Sequence, residues 1–330
     1  MVCPIYVVMT SGLDRDHPDR NGVMLRALAP ILGGMIAAAE HDGECPHGTV
    51  GVMVDFCSLP QHPRSPADQA RFDKGLRGMH LWYSHPFTHV LLVTTPLPDG
   101  GDYAKRKAYH ERGWCFFELQ TSSLIKNADL LWDLSKLPPA AAAVGTDGTA
   151  VRAYTECRTV MVAGRQPPLS PDTVEAEMRA RIAAGTLAFS YEEDVEPVIA
   201  MYRRGFVAAF AGYRQLRQIA EGAGTTIYYG KLGWTDADAA VLADAIRYAD
   251  QHCDIRFGKI ELQFSENRFT SKGVGMLLAA AGQGPKHAPA ADRGAPLKFL
   301  ITGLKKQLPP ADWTGPEQAA SQKSLKYWFG

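Results

Sequence analysis

At 330 residues the chain has room for two domains, and its 46% hydrophobic and 21% charged content is that of an ordinary globular protein. Lysine plus arginine and aspartate plus glutamate both number 35, so no chain-wide field draws it to nucleic acid or to an anionic membrane, and neither is expected as a partner. No apolar run reaches the ~20 residues that span a bilayer, the start passes into Asp14-Arg15-Asp16 without a basic leader, and six scattered cysteines read as reduced thiols; a cytoplasmic setting is expected.

In chain order, β-rich runs at Ile5–Thr10, Val50–Phe56, His89–Thr95, Leu130–Leu134 and Thr159–Ala163 alternate with helical patterns at Val23–Glu40, Pro66–Tyr83 and Trp114–Lys126. Within the second helix Phe72, Leu76, Met79 and Tyr83 recur at helical spacing and predict one buried stripe. Strand and helix in alternation argue for an α/β fold: a flavodoxin-like open parallel sheet of about five strands with flanking helices. Ligands bind such sheets outside the strand carboxyl ends, where the strand order reverses. The low-complexity run Pro138-Pro139-Ala-Ala-Ala-Ala-Val-Gly-Thr-Asp-Gly is expected as a loop without chemistry.

Pro167-Pro168-Leu169-Ser170-Pro171 marks a boundary, with Ser170 or Asp172 placed to cap the next helix. The expected divisions are an α/β domain over 1–165, a helical section over 166–222 broken near Phe189–Pro197, a repeat-like α/β section over 223–282, and a flexible basic tail over 283–330 ending in Tyr327-Trp328-Phe329. In the repeat-like section, Leu232-Gly-Trp234-Thr is echoed by Asn267-Arg-Phe269-Thr after the alternating strand pattern Ile260-Glu-Leu262-Gln-Phe264. That pattern resembles a ribonuclease-inhibitor-type leucine-rich repeat, in which Asn267 would satisfy backbone groups in the turn leaving the strand. Two imperfect units fall short of the three or so that a free-standing solenoid needs, and an ordinary α/β unit remains an equal alternative.

The segment Tyr109-His-Glu-Arg-Gly-Trp-Cys-Phe-Phe-Glu-Leu119 is the most informative in the chain. Trp114 and Cys115 read as buried, and Glu118 stands on or beside the apolar face of the helix that starts there. A carboxylate so placed is paired or chemically active; the plainer alternative is a first-turn glutamate held by the helix dipole. Glu111 would share a face with Glu118 only if the helix began early, and Gly113 is expected to break that continuity. Asp55, at the carboxyl end of its strand, stands where open sheets meet ligands, or is a turn residue holding Ser58 and Gln61. Ser11, Gly12, Asp14 and Arg15 leave the first strand in a loop able to meet a phosphate or ribose, and Trp82, Tyr83 and Trp114 are candidate pocket walls. His80, His85 and His89 run from a helix end through Pro86 into a strand and share no face, so no metal site is expected. No Gly-x-Gly-x-x-Gly or Walker pattern occurs, so no resident dinucleotide cofactor is expected.

Tyr109…Trp114-Cys115-x-x-Glu118-Leu119 is similar to the Tyr-x-x-Ser-x-Trp-Cys-x-x-Glu-Leu element of plant-type TIR (Toll/interleukin-receptor-like) domains. The chain also resembles a group of protist and algal proteins carrying Asp-x-x-Ser-x-Pro-Gln, here Asp55-Phe-Cys-Ser58-Leu-Pro60-Gln61, and Arg-Gly-Trp-Cys-x-x-Glu, here Arg112–Glu118. The resemblance covers roughly residues 1–165. It implies that Glu118 is catalytic for NAD⁺ cleavage, with NAD⁺ as substrate rather than cofactor, and that the Cys57–Pro66 loop mediates self-association. The serine of the plant element is replaced here by Arg112 or Gly113, and Ser11-Gly12-Leu13-Asp14 matches the family's first loop only loosely. Two functions are therefore carried forward: an NAD⁺ glycohydrolase, and a non-catalytic signalling scaffold that binds protein partners through the Cys57–Pro66 loop and the repeat-like section.

Overall fold

A computed structural model describes residues 5–9, 19, 21–41, 50–85, 87–94, 107–136, 160–210, 225–252, 259–282, 298–302 and 327–328. The chain divides into two compact units. The first is built from Met1–Ser122, Ala128–Gly164 and Arg181–Val195, and the second from Ser123–Asn127, Arg165–Ala180 and Glu196–Gly330. The low-complexity run at 138–148 lies outside the described residues.

In the first unit, β1 (Ile5–Met9), β2 (Gly51–Val54), β3 (Thr88–Leu92) and β4 (Leu131–Asp133) form a parallel sheet in the order β2-β1-β3-β4. Ile5 pairs with Gly51 on one side and Thr88 on the other, and Val90 pairs with Leu131. Parallel strands are covered on both faces, which is why they read as unbroken apolar runs; Val90, Leu91, Leu92 and Val93 are all buried. Helix α1 (Val23–His41) joins β1 to β2, and its Met24, Leu28, Ile31 and Met35 recur at helical spacing against Val8, Leu91 and Trp132. A single turn, α2 (Asp55–Ser58), leaves β2 directly, and α3 (Pro66–Ser84) then leads to β3. Helix α3 starts where the Ser65 hydroxyl oxygen accepts the Asp68 N–H at 3.2 Å with Pro66 in the first turn, and it stops ahead of Pro86. Its buried stripe is narrower than expected: Met79 and Tyr83 are buried, while Phe72 and Leu76 are only half-buried. Because the β2–β3 connection passes over β1, the winding reverses between β1 and β3, and the carboxyl ends there are the ligand end of such a sheet.

Two expectations change in this unit. The run Thr159–Ala163 does not add a fifth parallel strand among the described residues. Val162 instead makes an isolated antiparallel bridge to Trp132, and the Ala163 N–H donates to the Leu131 carbonyl at 2.8 Å. The helix expected over Trp114–Lys126 is α4 (Gly113–Ser122) and ends earlier. The Ser123 and Leu124 carbonyls accept hydrogen bonds from the Arg165 guanidinium at 2.6–3.0 Å, a side-chain partner in place of a further helical turn.

In the second unit, β5 (Thr225–Tyr228), β6 (Lys259–Gln263) and β7 (Lys298–Thr302) lie side by side, parallel and in chain order, and β8 (Tyr327–Trp328) adds antiparallel to β7. The segment 283–330, expected as a tail, thus supplies two strands. Its Lys298-Phe-Leu-Ile-Thr run carries the β-branched and aromatic residues that pleated surfaces favour. In the helical section, α5 (Pro171–Ala183) is followed by Gly185, whose φ of +71° is the left-handed conformation that ends helices. Helix α6 (Val195–Phe210) accepts Pro197 because the first turn has no acceptor for its missing N–H. Helices α7 (Asp236–His252) and α8 (Ser271–Gly282) pack on each other between the strands they connect.

The turns after β5 and β6 are tied by Asn267, which is 7% exposed. Its amide nitrogen donates to the carbonyls of Tyr229 (2.6 Å) and Phe264 (3.1 Å), and its oxygen accepts the N–H groups of Leu232 (3.2 Å) and Trp234 (3.1 Å). Every hydrogen-bonding group of that side chain is used on backbone, as expected for this residue. The rings of Tyr229 and Phe264 stack at 5.6 Å, and Lys231 and Glu266 both adopt φ of 60°. Arg165 lies over the Tyr229 ring at 4.3 Å, donates to the Tyr228 carbonyl, and is pushed down to about 10 by burial. Among the described residues, no helix is long and apolar enough to cross a membrane.

Candidate active site

Helix α4 begins at Gly113 because the backbone there is pressed against an aromatic ring: a Cβ on this glycine would lie 2.2 Å from Phe189. The Gly113 N–H donates to the Ala188 carbonyl, and Tyr109–Glu111 forms a separate 3₁₀ turn, so Glu111 and Glu118 do not share one helix. The Glu111 carboxylate instead accepts the Ala108 N–H at 2.8 Å. Starting the helix at 113 sets Glu118 in its second turn, buried at 5% exposure.

The partner of Glu118 is a phenol. Tyr83, fully buried at the end of α3, donates its hydroxyl to Glu118 Oε1 at 2.6 Å. Burial pushes the Glu118 carboxyl well above the usual range, and the negative charge of Asp55 pushes it the same way; the Tyr83 hydrogen bond opposes both. The Asp55 carboxyl is itself raised by burial, against the Phe56 N–H that it accepts at 2.7 Å. The Cys115 thiol is raised by burial and by Glu118, with Arg112 pulling the other way, and the buried Tyr109 phenol is raised by burial, Cys115, Glu118 and Asp133. Asp55, Tyr83, Tyr109, Cys115, Glu118 and Asp133 thus form one electrostatic neighbourhood, with Asp55 and Asp133 at the carboxyl ends of β2 and β4. Among the described residues, no cation contributes to the shift of Glu118. Burial and Asp55 favour the protonated form of this carboxyl, and an arriving positive charge would favour its ionisation.

Of the residues singled out in the sequence, Tyr83 touches Glu118 and the charge of Asp55 acts on it. Ser58 and Gln61 are not held by the Asp55 carboxylate: the Ser58 hydroxyl oxygen accepts the Val54 N–H, and Gln61 donates to the Phe56 and Leu59 carbonyls. Trp82 precedes Tyr83 by one residue, is turned about 100° around the helix, and stays 41% exposed. Trp114 is engaged by the 189–194 segment: its ring meets Phe189 and Phe117 edge-on, and its Nε1 donates to Asp194 at 3.0 Å. Tyr83 is therefore the aromatic residue that reaches the carboxyl. Ser11, Gly12, Asp14 and Arg15 lie outside the described residues. Asp133 was not singled out in the sequence. Its carboxylate accepts the hydroxyls of Thr94 and Ser135 and the Ser135 N–H, and its place at a strand's carboxyl end is the signal that would have found it. Among the described residues, no group of three His, Cys, Asp or Glu side chains is placed to hold a metal ion.

Fold and cluster together define an α/β protein with a buried carboxyl, Glu118, raised by a half-buried one, Asp55, at the ligand end of a parallel sheet. Comparison with protein-family models, with curated proteins and with solved structures gives no significant match.

Proposed function

We propose that the first unit is a TIR-like NAD⁺ glycohydrolase with Glu118 as its key carboxylate. The observation that carries this reading is the environment of Glu118: on the helix after β3, 5% exposed, hydrogen-bonded by Tyr83 and raised by Asp55, with no cation acting on it among the described residues. Cleaving the nicotinamide–ribose bond passes through an oxocarbenium-like state, which calls for a negative charge beside the ribose and exclusion of bulk water. A buried carboxyl without a cation partner meets that need once the cationic nicotinamide ring arrives, because the ligand's charge favours the ionised form. In this reading the sheet is a flavodoxin-like core in which Val162 stands in for a fifth strand. The Cys57–Pro66 loop, exposed at Cys57, Ser58, Gln61 and His62, is the surface through which copies associate and open the site. The second unit is a degenerate leucine-rich repeat offering a surface to protein partners, a reading supported by its consecutive parallel strands and by Asn267.

The alternative is a TIR-like scaffold without catalysis. It is favoured by Trp114, whose indole nitrogen and ring are engaged by Asp194 and Phe189 rather than facing a pocket.

The test is NAD⁺ consumption and nicotinamide release by the purified full chain, dilute and then concentrated, beside Glu118→Ala. Turnover that rises with protein concentration and vanishes in the variant supports the glycohydrolase. Absent turnover, with both proteins folded and the wild type self-associating, assigns the scaffold.

A further inference from the structure

The α3–β3 junction of the first unit carries an apolar tip that neither reading uses. At the α3–β3 junction Leu81 is 42% exposed, Trp82 41% and Phe87 70%. The tip is firmly built. The Thr88 hydroxyl donates to the carbonyls of Trp82 (2.8 Å) and His85 (3.1 Å), and the Phe87 ring meets His85 edge-on at 5.7 Å. These three side chains present on the order of 300 Å² of apolar surface, within the range where a patch on a soluble chain usually has a use.

Charge is distributed around this tip with a clear order. At 100° per residue, Arg71, Lys74, Arg77, Gly78, Leu81 and Trp82 fall on one face of α3 about 140° wide. Arg71, Lys74 and Arg77 are exposed there, and Arg71 pairs with Asp68 at 3.2 Å on the rim of the face. Asp68 and Asp73 stand about 40° outside the two edges of this face; Asp73, one turn before Arg77, accepts a hydrogen bond from Gln69. A Cβ on Gly78 would meet nothing within 4 Å, so no internal packing requires a glycine at that position. Moving back from Phe87 along the helix, the order is phenylalanine, then leucine and tryptophan, then Arg77 about one turn (5.4 Å) further, then Lys74.

From this arrangement we infer that the α3–β3 end docks the protein on the surface of an anionic lipid bilayer. The order matches the layers it would enter: Phe87 at the acyl boundary, Trp82 at headgroup level, Arg77 and Lys74 at the phosphates. The apolar area is well below the ~800 Å² per partner of a stable protein interface, whereas a bilayer requires no complementary pocket. The attraction is local, which is why a chain with 35 positive and 35 negative side chains carries it without any net charge. The asparagine-tied second unit and the carboxyl cluster play no part in it.

The experiment is co-sedimentation of the full chain with phosphatidylcholine vesicles, with and without phosphatidylserine, at rising salt. Binding is expected only with phosphatidylserine, weakening as salt rises, lost in Phe87→Ser, and lowered roughly fivefold by each of Lys74→Ala and Arg77→Ala. Phe87 is exposed, so its variant is expected to fold, and circular dichroism checks this. Three outcomes overturn the inference: no binding to anionic vesicles, binding unchanged in a folded Phe87→Ser, or self-association without vesicle binding that Phe87→Ser abolishes. The last would assign the tip to a second copy of the chain.

Discussion

Glu118→Gln removes one buried titration while keeping the side chain's shape, and its effect on stability is set by pH. Burial and Asp55 hold the folded carboxyl well above its ordinary value of 4.5, so the folded protein keeps a proton that the unfolded chain releases. Stability is therefore full below 4.5 and falls as pH rises, until the folded carboxyl itself ionises. Over that window the wild type loses about 1.4 kcal/mol for each pH unit relative to the variant. For a domain of 150–250 residues that is about 3–6 °C of melting temperature per unit. The glutamine oxygen still accepts the Tyr83 hydroxyl, and Asp55 titrates in both proteins, so the difference between the two curves isolates Glu118. Urea denaturation followed by tryptophan fluorescence, at rising pH above 4.5, should show the variant gaining on the wild type. Parallel stability curves would mean that Glu118 ionises at its ordinary pH in the folded protein, and the argument from a buried, unneutralised carboxyl would fail.

Asn267→Ala should cost at least about 3 kcal/mol in chemical denaturation of the second unit, since two N–H and two carbonyl groups lose their partner at once; a cost below ~1 kcal/mol would mean water replaces the amide freely. Gly113→Ala should destabilise by about 1–3 kcal/mol, because its Cβ would sit 2.2 Å from Phe189, and thermal melting reads this directly. Gly33→Ala should do the opposite: its Cβ meets nothing within 4 Å on α1, so a gain of about 0.5–1 kcal/mol is expected, checked by the same melt.

The sheet was legible because buried parallel strands announce themselves as apolar runs: β1, β2 and β4 fall inside the segments expected of them, and β3 starts one residue ahead of its own. Val160–Ala163 has the same composition but makes one antiparallel bridge, since register and direction come from tertiary pairing that a short run does not encode. The end of α4 was invisible for a related reason: Arg165 reaches its carbonyls from 42 residues away. Strands β7 and β8 were hidden behind Gly, Pro and Ala at 282–296 and the lysines that follow, which read as solvated chain. At the site, the motif located Glu118 and strand position located Asp55. Tyr83 was read only as a wall, because the pattern that puts it on the buried face of α3 does not say that its hydroxyl meets a carboxyl 35 residues later.

The bends at Lys231 and Glu266 have a consequence of another kind. Both take φ of 60°, at the spacing that separates Leu232 from Asn267, 35 residues. A left-handed backbone at a residue with a Cβ costs about 1–2 kcal/mol, so a glycine at either position would relax its own turn. The two turns stand side by side, Lys231 facing Glu266 at 3.7 Å and Tyr229 stacked on Phe264. A change of angle at one turn would therefore be felt at the other, and the two strand exits move as a pair.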